Sequence, residues 1–248
     1  MQPISSASGA QGRSPRPRLR HAVIVGGSFA GLLAARALWP ACERITLIER
    51  DLPPNQLESP RKGVPQGQHA HVLLNSGLSC LREFFPDLDQ ELEAHAGPAF
   101  DLLEQTRWRI EGRFRPRFPS EYRAYAIGRP ALEALVRRRV SALAGVTLEA
   151  GRSVAGLRFE ADQVTGVVLT DGEVLAADLV VDASGRGTRT PRWLREAGFE
   201  APASQTLELG LTYTSFVLEP RDPAGFDHDF RLLLLPPQPP HALHGGLI

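Results

Sequence analysis

The hydrophobic pattern at the start of the chain predicts a βαβ unit. The β-branched apolar run His21–Val25 is typical of a buried strand and ends at a glycine. A helix is predicted over Leu32–Trp39, where Pro40 ends it, and a second strand over Arg44–Glu49. Because strands joined by a helix run parallel in one sheet, this segment predicts an α/β fold.

The rest of the chain predicts one further helix and several short strands. The helix covers Ala131–Leu143 and precedes a strand at Val146–Glu149. Alternating residues between turn signals then predict a β-meander and a final buried strand. These strands are Arg152–Glu160, Gln163–Leu169, Glu173–Ala176 and Leu179–Asp182.

Two regions alternate more regularly between apolar and polar residues. Thr106–Phe118 predicts a strand pair that turns at Glu111-Gly112, with apolar side chains on one face and arginines on the other. The arginine face suits either NAD(P)H phosphates or solvent, and we favour a solvated face that discourages edge pairing. Leu207–Leu218 is predicted to open a second sheet, with Phe230–Leu235 as its next strand.

Composition narrows the class of protein. The 248 residues, 42% of them hydrophobic, fit one large domain or one domain and part of a second. The 28 basic and 28 acidic side chains balance, which argues against a nucleic-acid partner. The two cysteines, Cys42 and Cys80, are too few for a disulfide scaffold, so a reducing, cytoplasmic location is expected.

The N-terminal region predicts neither export nor membrane insertion. Residues 1–20 are rich in Ser, Pro and Arg and are expected to form a disordered basic tail. The apolar run behind them contains three glycines and is interrupted by Arg36, well short of the ~20 residues of a membrane span. We therefore expect no integral membrane segment in this region.

A glycine-rich turn between the first strand and helix suits a dinucleotide pyrophosphate. Free amides and the helix dipole favour an anion there, while Gly26 permits the tight turn and Gly31 lets helix and strand approach closely. Ser28 replaces the middle glycine of the fingerprint and hinders the pyrophosphate only slightly. Glu49 ends the second strand, where an acid binds ribose hydroxyls, and favours FAD or NAD over NADP. The alternative is a plain glycine turn in an α/β protein.

These motifs resemble those of the para-hydroxybenzoate-hydroxylase-like FAD-dependent monooxygenases. Val23–Leu32 with Glu49-Arg50 is similar to the FAD-binding start of that family. Ser59–Leu74 resembles a loop in its epoxidase-like subgroup, and Gly128-Arg129-Pro130 a flavin-contacting arginine at a helix start. Asp178–Leu194 is similar to the second fingerprint of the family, with Ser184 at the position of its aspartate.

The resemblance covers residues 21–218 and implies an organisation in three parts. A disordered tail, 1–20, precedes a Rossmann-like FAD-binding domain of the GR2 type at 21–204, with the β-meander and a strand pair near 100–127 as insertions. Residues 205–248 would start an incomplete substrate-binding sheet. The third fingerprint of the family, a Gly-Asp pair opening a long helix, does not occur in this sequence, so a C-terminally truncated relative is expected.

The resemblance also implies which residues contact the cofactor. The predicted FAD-binding residues are Gly26, Gly27, Ser28, Phe29, Ala30, Gly31, Glu49, Arg50, Arg129, Asp182, Ser184 and Gly185. Arg61, His69 and His71 are candidates to line the flavin, with ordinary solvated loop positions as the alternative. Metal binding by the two histidines is disfavoured because no third ligand is evident.

The activity implied by the resemblance is that of a FAD-dependent monooxygenase. Such an enzyme hydroxylates or epoxidises an apolar small molecule with NAD(P)H as reductant and O2 as co-substrate. The absence of any catalytic triad or metal motif agrees with chemistry carried by the cofactor. Two alternatives stay open: a truncated, inactive homologue that binds nucleotide weakly, and a flavin-dependent reductase of isoprenoid double bonds. The sequence specifies neither the substrate nor the oligomeric state.

Overall fold

The computed structural model describes residues 19–52, 63–219, 221 and 229–248. The chain divides into two compact units. The first contains the described residues up to Arg50 together with Val140–Pro202, and the second contains Asp51–Arg139 together with Ala203–Ile248. The described part of residues 51–139 thus groups by contacts with the C-terminal segment, and the predicted FAD-binding domain at 21–204 stays a prediction.

Five α-helices, three short 3-10 helices and thirteen strands occur in the described residues, and the α-helices and strands are numbered here. In chain order they are β1 (Leu19–Val25), α1 (Phe29–Leu38), β2 (Cys42–Glu49), α2 (Asn75–Phe84), α3 (Leu88–Ala96), β3 (Phe100–Asp101), β4 (Thr106–Ile110), β5 (Arg113–Phe114), β6 (Arg123–Ala124), α4 (Arg129–Ser141), β7 (Val146–Ala150), β8 (Val154–Glu160), β9 (Gln163–Leu169), β10 (Val174–Ala176), β11 (Leu179–Asp182), α5 (Thr190–Glu196), β12 (Leu232–Leu235) and β13 (Gly246–Leu247). None of the helices in the described ranges is long and apolar enough to cross a membrane.

A parallel sheet forms the centre of the first unit. Its strand order is β11-β1-β2-β7, and Val23 pairs with Val180 on one side and Thr46 on the other. The antiparallel meander β8–β10 packs on this sheet through a core that includes Val23, Ile48 and Val167. The predicted α/β fold with a parallel sheet and a β-meander is confirmed.

The start of the first unit differs in detail from the prediction. β1 begins at Leu19, so the last two residues of the predicted tail are in a strand; residues 1–18 lie outside the described residues. α1 begins at Phe29 rather than Leu32, because Ser28 is extended and its carbonyl accepts the first helical hydrogen bond, 2.9 Å from the Leu32 amide. The glycine-rich turn is consequently shorter, and half of the predicted fingerprint lies in the helix.

A buried histidine, His21, lies near the end of β1 that is opposite to the glycine turn. His21 Nδ1 lies 2.6 Å from the Ala176 carbonyl and Nε2 lies 2.9 Å from Thr46 Oγ1. Burial lowers the pKa of His21, and the Arg44 guanidinium, 3.0 Å from Nδ1, lowers it further. A neutral ring that donates from Nδ1 to the Ala176 carbonyl can accept at Nε2 from the Thr46 hydroxyl.

The second unit contains a smaller sheet with the order β13-β12-β4-β5. β4 and β5 form the predicted strand pair, although β5 ends at Phe114 and Phe118 lies outside it. Arg107 and Arg117 form ion pairs with Asp229, and Arg115 stacks over the ring of Trp108. Much of the arginine-rich region is therefore engaged within its own unit.

The predicted strand at Leu207–Leu218 is not formed. The segment has no regular secondary structure, and its apolar side chains are exposed, from 62% at Leu211 to 99% at Val217. Alternation supplies a side-chain pattern suited to a sheet, but a strand also requires a hydrogen-bonding neighbour. β12 pairs in parallel with β4 instead of with this segment.

Two helices of the second unit, α2 and α3, were not predicted. Their buried residues Leu78, Leu81, Leu88 and Leu92 lie at helical spacing within each element. This spacing could be recognised in the sequence, but each helix is short and carries many polar residues, so its stripe of apolar residues is narrow. Arg139 of α4 contacts both Asp87 and Glu91, which joins α3 to α4 by ion pairs.

Asp101 is a buried hub of hydrogen bonds in the second unit. Its carboxylate accepts bonds from the Ser120 amide and hydroxyl, both at 2.6 Å, and from the amides of Leu103 and Glu104. Burial alone would raise the pKa of Asp101, but these hydrogen bonds outweigh it and lower the pKa from 3.8 to about 2. The carboxylate thus holds the 115–122 loop against β3.

We expect Asp101→Asn to destabilise the protein by about 1.5–3 kcal/mol at pH 7, because an amide nitrogen cannot accept these bonds. The folded-state pKa is depressed, so the stabilisation is present above pH 3.8 and is lost as the pH falls through about 2. Urea unfolding of both proteins between pH 7 and pH 2 measures this difference, which should shrink toward the acid end.

Asp162→Asn provides the control, because Asp162 is exposed in the turn between β8 and β9. It should leave the free energy of unfolding unchanged within about 0.5 kcal/mol. A difference between wild type and Asp101→Asn that stays constant down to pH 2 would contradict the assigned role of the carboxylate.

Candidate functional site

The glycine-rich turn links β1 to α1 in a conformation that excludes side chains. Gly26 has a φ of 106°, and its amide donates to the Ile48 carbonyl at 2.8 Å. A Cβ on Gly26 would lie 2.4 Å from the Ala183 carbonyl oxygen. A Cβ on Gly31 would lie 1.8 Å from the carbonyl oxygen of Gly26. Both glycines are therefore required by close backbone approach, as predicted for a dinucleotide fingerprint.

Glu49 lies directly beside this turn at the end of β2. The residue is only 6% exposed, and its Oε2 accepts a hydrogen bond from the Gly27 amide at 2.8 Å. A Cβ on Gly27 would lie 3.0 Å from Cβ of Glu49, so the turn and the acid are packed against each other. The structure brings together the predicted glycines and the predicted acid in one small site.

The second fingerprint meets the first at the end of β11. The Ala183 amide donates to the Val25 carbonyl at 2.8 Å, which extends the pairing of β1 and β11 up to the glycine turn. Ser184 N lies 3.1 Å from the Cβ position of Gly26. Ser184 and Gly185, both predicted to contact FAD, therefore begin the segment that lies next to the glycine-rich turn.

Asp182 organises that segment. Its carboxylate accepts hydrogen bonds from the Ser184 amide and hydroxyl and from the hydroxyls of Thr188 and Thr190. Partial burial would raise the pKa of Asp182, but the hydroxyl donors outweigh it and lower the pKa. The carboxylate is directed into its own turn and holds Ser184, while its predicted contact with FAD stays a prediction. Thr188 and Thr190 were not predicted as partners of this acid.

Electrostatics and shape together suit an anionic dinucleotide. Backbone amides at the start of α1 and the positive end of its dipole attract a phosphate, while side-chain-free positions allow it to approach. A buried carboxylate one strand away suits ribose hydroxyls, which donate hydrogen bonds. Phe29 and Ala30 form the first turn of α1, and Arg50 follows Glu49 on the exposed surface.

The remaining predicted residues that the structure describes, Arg129, His69 and His71, belong to the second unit. Arg129 is the first residue of α4, and its Nε lies 3.9 Å from Oε2 of Glu133 on the next turn. Glu133 is buried and also pairs with Arg137 at 2.7 Å. This ion-pair group was missed, although the spacing of four residues on a predicted helix was a usable signal. Arg61 lies outside the described residues.

The two loop histidines, His69 and His71, are both hydrogen-bonded within the second unit. His69 Nδ1 lies 3.0 Å from the Ser215 hydroxyl, and its ring is 6.1 Å from that of Tyr213. His71 Nδ1 lies 2.8 Å from the His69 carbonyl. No group of three potential metal ligands occurs in the part of the chain that the structure describes. A role of His69 and His71 beside the flavin stays a prediction.

Sequence comparisons connect the chain to flavoenzymes. The profile described as tryptophan halogenase matches residues 85–201, just under half of the chain. Protein Rv3254 of Mycobacterium tuberculosis is 36% identical over 220 residues, which cover 82% of this chain and 46% of that protein. A D-amino acid dehydrogenase of Xanthobacter autotrophicus is 40% identical over 73 residues, 29% of this chain and 17% of that enzyme. The chain spans less than half the length of these relatives.

Solved structures share its architecture. The probable FAD-dependent monooxygenase PqsL of Pseudomonas aeruginosa matches with a TM-score of 0.54 and 19% identity, over 75% of this chain and 48% of its own. The chain has the fold of the FAD-binding monooxygenases. The C294A mutant of 2-methyl-3-hydroxypyridine-5-carboxylic acid oxygenase matches with a TM-score of 0.52 and 24% identity, over 71% of this chain and 42% of its own. At these identities the likeness concerns the monooxygenase fold alone.

We expect Gly31→Ala to destabilise the protein by about 1–3 kcal/mol, because the added Cβ overlaps the Gly26 carbonyl and forces the turn to move. The sign is informative, since alanine in place of glycine inside a helix ordinarily stabilises by about 0.5–1 kcal/mol. Urea unfolding followed by circular dichroism measures the change.

Gly187→Ala is the matched control, because a Cβ at Gly187 meets no atom within 4 Å. This variant should unfold within about 0.5 kcal/mol of the wild type. If Gly31→Ala were equally stable, the close approach between the turn and the helix would be incorrect.

Proposed function

We propose that this chain is the FAD-binding part of a FAD-dependent oxidoreductase, specifically a monooxygenase that hydroxylates or epoxidises an apolar small molecule. The observation that carries the proposal is the packing of the Gly26–Ser28 turn against the buried carboxylate of Glu49. The fold shared with FAD-binding monooxygenases supports it. The epoxidase-like subgroup is part of the proposal and rests on the motif resemblance.

The residues of this site fit the adenosine diphosphate end of FAD. A pyrophosphate needs close access to backbone amides, and Gly26 and Gly27 leave the turn free of side chains. A carboxylate offers about four acceptor positions, one of which the Gly27 amide occupies on Glu49. Ribose hydroxyls would add to that bond without displacing it.

The chain would bind and orient the cofactor, and the cofactor would carry the redox chemistry. Bound FAD supplies hydride acceptance and oxygen activation. Amides at the start of α1 would hold the pyrophosphate, while Glu49 would orient the ribose and exclude a 2′-phosphate by charge repulsion. Asp182 would keep Ser184 and Gly185 next to the pyrophosphate turn through the hydrogen bonds of its own segment.

The other components of the reaction are also proposed. NAD(P)H would reduce the flavin and O2 would supply the transferred oxygen atom. Arg61, His69, His71 and Arg129 are proposed to face the flavin, as the motif resemblance implies. A cytoplasmic location agrees with two free cysteines, Cys42 and Cys80, in the described residues.

A second candidate is a flavin-dependent halogenase, which the tryptophan halogenase profile over residues 85–201 favours. The two activities consume oxygen and a reduced flavin alike but differ in the group that is transferred. Product analysis by mass spectrometry with bromide present distinguishes incorporation of oxygen from incorporation of halogen. Double-bond reduction without oxygen uptake would instead identify the isoprenoid reductase.

FAD binding is the direct test of the proposed function. The purified protein should show a flavin absorption band, or should bind added FAD in calorimetry. Glu49→Arg should weaken FAD binding at least about tenfold, because charge-assisted hydrogen bonds are worth roughly 1.5–3 kcal/mol each. Glu49→Gln, which keeps the size of the side chain, should give an intermediate loss.

Glu43→Arg is the control, since Glu43 is exposed on the same strand and undergoes the same change of charge. It should leave FAD affinity unchanged. A folded wild-type protein that neither retains nor binds FAD would contradict the proposed function and would support the inactive homologue. FAD binding that Glu49→Arg leaves intact would show that the adenosine site is elsewhere.

A further inference from the structure

A cleft lies within the first unit, between β8 and α5. It has a volume of about 370 Å³, within the range of roughly 300–1,000 Å³ that is usual for small-ligand sites. Its walls include Gly156, Phe159, Arg189, Arg192, Trp193 and Glu196. None of these residues is among the predicted FAD-binding residues, so the cleft is separate from the dinucleotide turn.

The segment that forms one side of this cleft carries a concentration of positive charge. Four arginines, Arg186, Arg189, Arg192 and Arg195, occur at every third position and are exposed, and two of them, Arg189 and Arg192, line the cleft. The only acid in residues 185–197 is Glu196, which pairs with Arg192 at 2.7 Å. The segment therefore has a local excess of three positive charges, although basic and acidic side chains balance over the whole chain. Such an excess attracts an anion.

Aromatic rings form a firm wall of the same cleft. Phe159 stacks on Phe199 with ring centroids 5.4 Å apart and an interplanar angle of 24°. Trp193 is half-buried and packs against the core between the sheet and the meander. Because Phe159 packs on Phe199 and Trp193 packs on the core, a ligand would meet a preformed apolar surface. That surface would not have to be ordered when the ligand binds.

One of the residues that line the cleft is a glycine, Gly156. Gly156 lies in β8 next to a register shift in its pairing with β9. A Cβ at Gly156 would meet no atom within 4 Å, so the absent side chain leaves open space. Nothing in the packing of the strand itself requires a glycine at this position.

We propose that the β8–α5 cleft binds an aromatic phosphate. Arg189 and Arg192 hold the phosphate, because the guanidinium group forms paired hydrogen bonds to phosphate oxygens. Trp193 and Phe159 contact the planar ring. The site does not depend on the proposed FAD-binding function.

Calorimetric titration with 1-naphthyl phosphate tests the proposal, with inorganic phosphate and 1-naphthol as the two partial ligands. Wild-type protein should bind 1-naphthyl phosphate at one site and each partial ligand at least about tenfold more weakly, because both halves of the site are needed. The double variant Arg189→Gln/Arg192→Gln should lose at least about tenfold in affinity. Gly156→Leu should abolish binding, because the added side chain would occupy the open space beside Gly156.

Arg186→Gln/Arg195→Gln is the matched control, because it removes the same charge from positions that do not line the cleft. It should change the affinity by less than about threefold at physiological salt, where exposed charges are screened.

Three results would overturn the proposal: no binding by the wild type, equal losses in the two arginine pairs, or equal affinity for 1-naphthol. A Gly156→Leu protein that retains the wild-type circular dichroism and melting temperature but still binds would also overturn it. If that variant does not fold, the arginine pairs decide, since their side chains are exposed and their removal leaves the core intact.

Discussion

The hydrogen bond from the Gly27 amide to the buried carboxylate of Glu49 joins the two parts of the site that a dinucleotide needs. It fixes the turn after β1 against the end of β2 at a distance of 2.8 Å. The geometry depends on positions without side chains, since a Cβ at Gly26 or Gly31 would overlap a backbone carbonyl. The same turn contacts the end of β11, so the two predicted fingerprints form one continuous surface. The fold of the first unit and its proposed function thus rest on the same close backbone contacts.

Much of the first unit could be predicted from the sequence because its signals are local. A β-branched run, a glycine turn and an acid at the end of the next strand each act within a few residues, and the structure brings them together. Asp182 could also be placed at the end of its strand. Its hydroxyl partners Thr188 and Thr190 could not be identified, because the conformation of the turn decides which donors reach the carboxylate.

The second unit was harder to predict because its elements depend on distant partners. Leu207–Leu218 alternates as a strand would, yet it has no regular secondary structure and is exposed, because no neighbouring strand pairs with it in the described residues. β12 instead pairs with β4, more than one hundred residues earlier in the chain. The grouping of residues 51–139 with the C-terminal segment follows from such long-range contacts, which periodicity does not encode.

We propose that the glycine turn and Glu49 form the adenosine site of FAD, and a crystal structure of the protein with FAD tests this most directly. Pyrophosphate oxygens should lie on the amides that open α1, and ribose hydroxyls should lie within hydrogen-bond distance of the Glu49 carboxylate, with the Gly27 hydrogen bond preserved. A structure in which FAD is bound with its adenosine away from Glu49 would show that the adenosine site is elsewhere.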